Sequence, residues 1–588
     1  MSDKTININV PVLARVEGEG ALELSIEKGK ISELKLRIYE PPRYFEKFLE
    51  GRSYQDLPDT VARICGICPV AYQMSAIHAI ESIFQAETTP WIRALRRVFY
   101  CGEWIQSHAL HIHMLAAPDF LGCQSVIELA QQHDEAVRCG LRLQALGNEL
   151  MSMLGGRSVH PVGAKVGGFF HAPSQQQAND MVAKLEQGWS DSEALILWLN
   201  ELELPDDVQS FTCVSLRHAD EYPMNEGRII SDKGLDIAIE HYSQHFEEHH
   251  IPHSTALHAL LEGEPYLLGP LARLNLNHDR LSDEVLAPLR QTRYRFPSYN
   301  MYHSIIARAV EIRFAIGEAL TILREYQQPK QPSVPITPQA GIGYGCTEAP
   351  RGLLWHRYEV DQQGDILNAV IIPPTSQNQA RIEQDVARSL EKYGLEHNEH
   401  ELRFYAERVI RNYDPCISCA THFLTLKLNR DDEHNHRTKT PQHSSKKQSL
   451  LIAVGSPFGA DNAAWQIAAQ LPATPSLTLV YSNSPLAQLK SLLDTAQHII
   501  LLDALISTQP AGQLLPLHPE QLASSDNHLS SHGLGAAELL ALLQQLKADT
   551  AEQQLIGVSI GDGRQPLTDQ QIKNAAKALQ QALRAHRL

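Results

Sequence analysis

No run of 18 consecutive apolar residues occurs in this chain, so no membrane-spanning helix is expected. Basic residues are the minority charge, with 51 Lys and Arg against 68 Asp and Glu, a formal net charge of −17 and a pI near 5.9. A nucleic-acid groove or an anionic membrane surface needs a basic excess, so neither is an expected partner; proteins and small molecules are. The opening Met1-Ser2-Asp3-Lys4-Thr5 lacks a basic region followed by an apolar stretch, and a cytoplasmic location is expected. Cysteine is scarce and odd in number, nine in 588 residues, which fits free thiols plus a metal site better than a disulfide framework. Cys101, Cys123, Cys139, Cys213 and Cys346 read as small buried apolar residues.

The length exceeds what one core supports, so two or more domains are expected. Residues 5–40 alternate apolar and polar side chains (Ile6, Ile8, Val10; Leu22, Leu24, Ile26; Leu34, Leu36, Ile38), which predicts a small antiparallel sheet. From about Pro42 to Gln328 the apolar period lengthens to three or four. Helices are expected near 70–84, 90–116, 124–153, 175–200, 232–249 and 301–327, hence a helical bundle. Residues 340–345 read as a Gly-rich turn, and helices near 379–394 and 400–412 follow. Residues 429–448 hold no apolar residue except one proline and read as a solvated linker. Beyond it, strands near 450–454, 498–502 and 555–560 alternate with helices near 462–471, 485–494 and 534–547, implying an α/β domain over 449–588.

Two short cysteine pairs carry the chemistry. Cys65-Gly66-Ile67-Cys68 lies near the start, and Cys416-Ile417-Ser418-Cys419 about 350 residues later. Each pair alone fits a redox dithiol, half of a zinc site or a cluster ligand, because a two-residue spacer lets both sulfurs face one metal ion. The flanks say more: Arg63-Ile64-Cys65-Gly66-Ile67-Cys68-Pro69-Val70 and Asp414-Pro415-Cys416-Ile417-Ser418-Cys419-Ala420-Thr421-His422. Together they resemble the two signature motifs of the nickel-iron hydrogenase large subunit, over roughly residues 5–428. The resemblance implies a catalytic domain at 1–428: mainly an α-helical bundle with a small N-terminal β-sheet.

It also implies roles. Cys65 and Cys416 match terminal nickel ligands, and Cys68 and Cys419 match sulfurs bridging nickel to an iron that carries CO and CN ligands. H2 is then split heterolytically, with Cys416 as base and Glu17, in Ala14-Arg15-Val16-Glu17-Gly18, as the carboxylate that takes the proton onward. Glu46, the carbonyl of Ile371 and His422 resemble the family's magnesium site. Arg351, in Glu348-Ala349-Pro350-Arg351-Gly352, matches the guanidinium held over the open metal position and bonded to one cyanide; Thr375 matches the hydroxyl bonded to the other. Arg63 and Asp414 flank the ligating cysteines and are expected to orient them. The implied partners are an iron–sulfur small subunit and flavin-containing NAD(P)-reductase subunits.

Two departures narrow the match. Tyr72 stands where most relatives carry histidine four residues after the second cysteine, and Ser107 where many uptake enzymes carry aspartate. The first resembles the cytoplasmic NAD(P)-linked members called sulfhydrogenases, and the second shifts the match away from membrane-bound members. A hydrogen-sensing protein of the same fold is the alternative, as is an inert complex-I-type relative, although that class has lost the cysteines retained here. His241, His245 and His249 form an i, i+4, i+8 stripe without the glutamate of a zinc-peptidase motif and read as a solvated face. The Gly341, Gly343, Gly345 run lacks the spacing of a dinucleotide fingerprint, so NAD(P) is expected on a partner.

Residues 449–588 resemble the hydrogenase maturation endopeptidases, which trim the large-subunit tail; processing of the tail in cis and a degenerate module that only docks it are the two expectations. The matched opening is Val454-Gly455-Ser456-Pro457-Phe458-Gly459-Ala460-Asp461-Asn462, and Asp503 and His532 match two nickel-sensing positions. Asn462 stands where the third ligand is usually glutamate, and asparagine offers only a weak neutral carbonyl. The family's cut falls after the histidine matched by His422.

Overall fold

The alternation at the N-terminus forms an antiparallel three-stranded sheet, Ile6–Val10, Gly20–Glu27 and Lys30–Ile38, with Val10 opposite Leu22 and Leu22 opposite Leu36. Its apolar face (Ile8, Val10, Leu22, Leu24, Leu36) packs on Ile382, Val386 and Leu390 of the Pro374–Tyr393 helix and Leu402, Ala406 and Val409 of the Glu399–Tyr413 helix. In this computed structural model residues 6–123, 126–421, 449–454, 463–471, 477–482, 498–505, 509–517, 552–560 and 567–585 are described. They fall into two compact units, Met1–Asn429 and Arg430–Leu588.

The first unit is built on long helices: Pro69–Phe84, Pro90–Leu110, Asp134–Gly155, Gln175–Leu199 and Ser304–Arg324. Their ends follow local chemistry. Thr89 Oγ1 accepts from Ile92 N ahead of Pro90, and Ser174 and Gln177 form a reciprocal capping box. The predicted 90–116 helix converts to a π-helical turn at His111–Ala116, a form frequent at functional sites. The predicted 124–153 helix is two helices, Val126–Gln132 and Asp134–Gly155, broken at His133.

Two predictions fail. Residues 232–249 are not a helix: Arg228–Ser231 and Asp236–Ile237 pair as strands, a single turn spans Tyr242–His245, and Phe246–His249 pairs antiparallel with His258–Leu261. The histidine stripe therefore does not share one helical face; His245 Nδ1 lies 3.0 Å from Glu262. Residues 341–345 are not a turn but the start of the Gly341–Ala349 strand, the edge of a sheet with Gly352–Val360 and Ile366–Ile372. Glycine is required there because the strand backbone lies directly on the Pro69–Phe84 helix: a Cβ on Gly345 would overlap the Ser75 carbonyl, and one on Gly343 that of Ala79.

In the second unit the strands order as Leu477–Ser482, Ser449–Val454, His498–Leu505, Glu552–Ser559 and Leu514–Leu517, the first four parallel and the last antiparallel. Ala463–Ala468 and Asp569–Ala585 pack their apolar faces on this sheet. The helices expected near 485–494 and 534–547 lie outside the described residues.

Candidate metal centre

Local chemistry sets each cysteine pair. Cys68 caps the Pro69–Phe84 helix, and Pro69 occupies the first helical position, where a missing N–H costs nothing. The next free amides, Val70 N and Ala71 N, donate to the buried Glu103 carboxyl at 2.6 and 3.2 Å. Cys65 Sγ accepts from Ile67 N and Cys68 N at 3.3 and 3.2 Å, an amide cradle suited to a thiolate. At the other end, the Glu399–Tyr413 helix stops at Asp414, whose φ of 57° turns the chain into Pro415-Cys416. Cys416 N donates to Thr375 Oγ1 at 3.0 Å, and Ile417 N donates to the Glu17 carbonyl at 3.0 Å. Arg43 ties the two pairs together, donating to the Ile64 carbonyl at 2.7 Å and to the Ser418 carbonyl.

The result is one array of four sulfurs, all within 4.8 Å of one another and all buried. Cys65 and Cys416 Sγ are 3.5 Å apart, Cys68 and Cys419 3.9 Å, and the within-pair separations are 2.9 and 2.7 Å. No disulfide forms among the described cysteines. Burial drives the Cys416 thiol well above its ordinary range and opposes ionisation of Cys65, yet thiols pointing at Cys65 hold it well below that range. Sulfurs this close cannot all ionise together unless cations sit among them, which is the electrostatic demand of a metal-binding thiolate set.

Positive charge is anchored beside the array. Arg351, 3% exposed, donates from Nε to the Asp414 carbonyl at 2.8 Å and from Nη2 to Asp414 Oδ1 at 2.9 Å, leaving Nη1 only a 3.5 Å contact with Ser107 Oγ. Burial opposes the charge of Arg351; Asp414 and then the thiolates hold it firmly cationic. Asp414 also accepts from Arg308 at 3.1 Å, and Arg308 donates to His108 Nδ1 at 3.2 Å. His108 Nε2 then reaches Glu311 at 2.9 Å, and Arg273 forms a bidentate pair with Glu311 and reaches Glu348 at 2.9 Å. Glu311 is held down to about 2: burial opposes this, and Arg273 overcomes it. Every member of this line is buried. Glu311→Gln should therefore remove the bidentate partner of Arg273 and leave it Glu348 and two carbonyls, at a cost of about 1.5–3 kcal/mol; a wild-type unfolding midpoint for that variant would contradict the network's importance.

Glu17 runs alongside Cys416 as a parallel bridge, and its Oε2 accepts from Ser418 N at 3.2 Å, inside the second cysteine turn. Glu40, which sequence reading missed, lies next: Oε1 accepts from Ser418 Oγ at 3.1 Å and from Glu19 N at 2.9 Å, and burial raises its carboxyl. Glu46 Oε1 accepts from Ile371 N at 2.7 Å, so these two expected magnesium-site residues meet; His422 lies outside the described residues. Burial lifts Glu46 to about 7. A further missed carboxyl, Glu248, is lifted to about 8 by burial and by the charge of Glu46. Tyr72 is fully buried with its hydroxyl lacking a hydrogen-bond partner; burial and then the four sulfurs raise it well above its usual range. Arg63 departs from expectation: its side chain is exposed, and its charge acts on Asp59, so Arg43 is the guanidinium that organises the cysteine loops. Asp503 lies in the His498–Leu505 strand, while Asn462 and His532 lie outside the described residues. The missed residues left no local signal, since isolated charges in a sequence read as surface.

The family described as nickel-dependent hydrogenase matches residues 43–140 and 263–422. Sulfhydrogenase 2 subunit alpha of Pyrococcus furiosus is 31% identical over 427 residues, spanning 71% of this chain and 100% of that protein. The chain belongs to the nickel-dependent hydrogenase family. It is a hydrogenase large subunit, an oxidoreductase. The beta subunit of the NAD-reducing hydrogenase HoxS of Cupriavidus necator is 26% identical over 464 residues, 70% of this chain and 94% of that protein. The crystal structure of an NAD+-reducing NiFe hydrogenase in the H2-reduced state superposes with a TM-score of 0.66 at 28% identity, covering 72% of this chain and 100% of that one. Both cysteine pairs of this hydrogenase lie within the matched residues. Among the described residues no helix is long and apolar enough to cross a membrane.

Proposed function

We propose that this hydrogenase subunit catalyses reversible heterolytic cleavage of H2 at a nickel–iron pair held by Cys65, Cys68, Cys416 and Cys419, and that the electrons pass to an iron–sulfur small subunit and on to flavin-bearing NAD(P)-reducing subunits. The observation that carries this reading is the gathering of four sulfurs, distant in sequence, into one buried set beside a clamped guanidinium and a carboxylate. The donor set fits: soft thiolates suit nickel and low-spin iron, and Cys65, Cys416, Cys68 and Cys419 would together hold a nickel and an iron bearing CO and CN. When bound, the metal pair supplies the chemistry of H2 = 2H+ + 2e−.

The protein's own groups then do the rest. Cys416 Sγ takes a proton as base. Glu17, its carboxylate anchored by Ser418 N at 3.2 Å, receives it, and Glu40, which accepts from Ser418 Oγ at 3.1 Å, is the next carboxyl outward. Arg351 Nη1, spared by the Asp414 clamp, keeps a positive charge beside the reacting position and a donor for cyanide; Thr375, whose oxygen accepts from Cys416 N, keeps its own O–H for the other. Purified with its partners, the protein is expected to reduce benzyl viologen and NADP or NAD with H2; dye reduction without nucleotide reduction would remove the NAD(P) assignment, and neither would remove the enzymatic one.

Glu46, the Ile371 carbonyl and His422 are proposed to hold magnesium. Because Glu46 and Glu248 bind protons more tightly folded than unfolded, the magnesium-free protein is stabilised at low pH, and this is lost as pH rises through about 7 to 8. Magnesium should therefore raise the unfolding midpoint much more at about pH 8.5 than at about pH 6. An equal shift at both would argue against a cation between these carboxyls.

For the second unit, residues 449–588 after a 429–448 linker, the reading is a maturation-endopeptidase-like α/β domain with Asn462, Asp503 and His532 at its nickel-sensing positions. Support comes from the parallel sheet and from Asp503 in its third strand in spatial order, towards the carboxyl ends where open α/β sheets collect ligands. Trimming after His422 would release this domain with the tail. Intact mass of the purified protein should show a terminus at His422; a full-length enzyme of full activity would refute processing.

A further inference from the structure

Away from the cysteines, three metal-competent side chains converge where no role has been assigned. His253 and His258 bracket the loop that leads into the His258–Leu261 strand, and Glu383 projects from the Pro374–Tyr393 helix. One ligand atom from each lies within 4.8 Å of the others. Glu383 Oε1 is committed, accepting from Leu36 N and meeting His253 Nε2, both at 2.8 Å. Its Oε2 is 4.0 Å from His258 Nδ1, beyond hydrogen-bond range. His258 is 4% exposed, and its Nε2 has no hydrogen-bond partner. An ion pair of His253 with Glu383 accounts for two of the three residues and leaves the third, a buried imidazole whose Nδ1 faces Glu383 from outside hydrogen-bond range, unexplained.

We propose that His253, His258 and Glu383 form a second metal site, for a borderline divalent cation of the zinc class, which staples the 251–258 loop to the Pro374–Tyr393 helix. Two imidazoles and one carboxylate are the donor set such ions favour, and three protein ligands leave a position for water. Bonds of about 2.0–2.2 Å gather atoms up to about 4 Å apart, so only a small inward shift of the side chains is needed. The site has a structural target. Thr255 donates from N and Oγ1 to the Ile38 carbonyl and from Oγ1 to the Glu40 carbonyl, while Ala256 packs with Ile38, Ile417 and Ala420. The stapled loop is thus the wall behind the Cys416–Cys419 turn and the Glu40 end of the proton route.

The test is zinc retention by the full-length protein. After chelator treatment, Zn2+ is added, unbound metal is removed by desalting, and zinc, nickel and iron are counted together. Wild type should keep about one zinc more than His258→Ala or Glu383→Gln, with nickel and iron unchanged in both. A variant lacking the exposed His249 and His250 should keep the wild-type count. Glu383→Gln retains an acceptor for Leu36 N and carries the test if His258→Ala does not fold. Co2+ in the site should show visible bands without the thiolate charge-transfer absorption that the cysteines would give. Equal zinc in wild type, His258→Ala and Glu383→Gln, loss on removing His249 and His250 instead, or a thiolate band from the added cobalt would each overturn the assignment.

Discussion

Cys416→Ser is expected to abolish H2 oxidation and to leave the protein without nickel. A serine oxygen at the same position is a harder and far less acidic donor than a thiolate, and it would sit 2.7 Å from Cys419 and 3.5 Å from Cys65 in a set whose other members are soft sulfur. The backbone would survive, because Cys416 N keeps its bond to Thr375 Oγ1 and Ile417 N its bond to the Glu17 carbonyl. The measurement is nickel per folded chain alongside activity. Normal nickel content in this variant would contradict the assignment of Cys416 as a ligand, whatever the activity.

Glu17→Gln should reduce H2/D2 exchange by about 10²–10⁴-fold, the usual worth of a positioned proton-transfer group. Nickel and iron should stay at wild-type levels. The substitution is structurally mild: the Glu17 carbonyl still accepts from Ile417 N, and an amide oxygen can still accept from Ser418 N where Oε2 does now, at 3.2 Å. What is lost is the ability to take and return a proton beside Cys416. Exchange at the wild-type rate would take Glu17 out of the route and leave Glu40 without a source. A loss of metals together with exchange would instead make Glu17 a scaffold for the cysteine turn.

The cysteine pairs were legible because two-residue spacing and their flanks survive any fold, and the long helices because an apolar period of three or four over twenty residues has few other solutions. The N-terminal sheet was legible from Ile6 to Ile38 for the same kind of reason, with period two. The failures are tertiary. Phe246–His249 took a strand over a helix because His258–Leu261 offers a pairing edge, which no local propensity encodes. Gly343 and Gly345 signalled a turn by composition, whereas they mark where a strand must touch a helix. The buried line from Arg273 through Glu311, His108, Arg308 and Asp414 to Arg351 was almost wholly invisible, since its members are separated by as many as 203 positions between hydrogen-bonded neighbours. Arg63 and Arg43 make the same point in opposite directions. The arginine two residues before the first cysteine faces solvent, and the distant one bonds both cysteine loops.

All of the proposed chemistry rests on the two cysteine pairs serving one heterobimetallic centre. The most direct test is elemental analysis of the purified subunit combined with infrared spectroscopy of the same sample. Nickel and iron in about equal amounts, with absorption bands from iron-bound CO and CN, is the predicted result. Zinc occupying the four-sulfur set, with no nickel and no such bands, would contradict it.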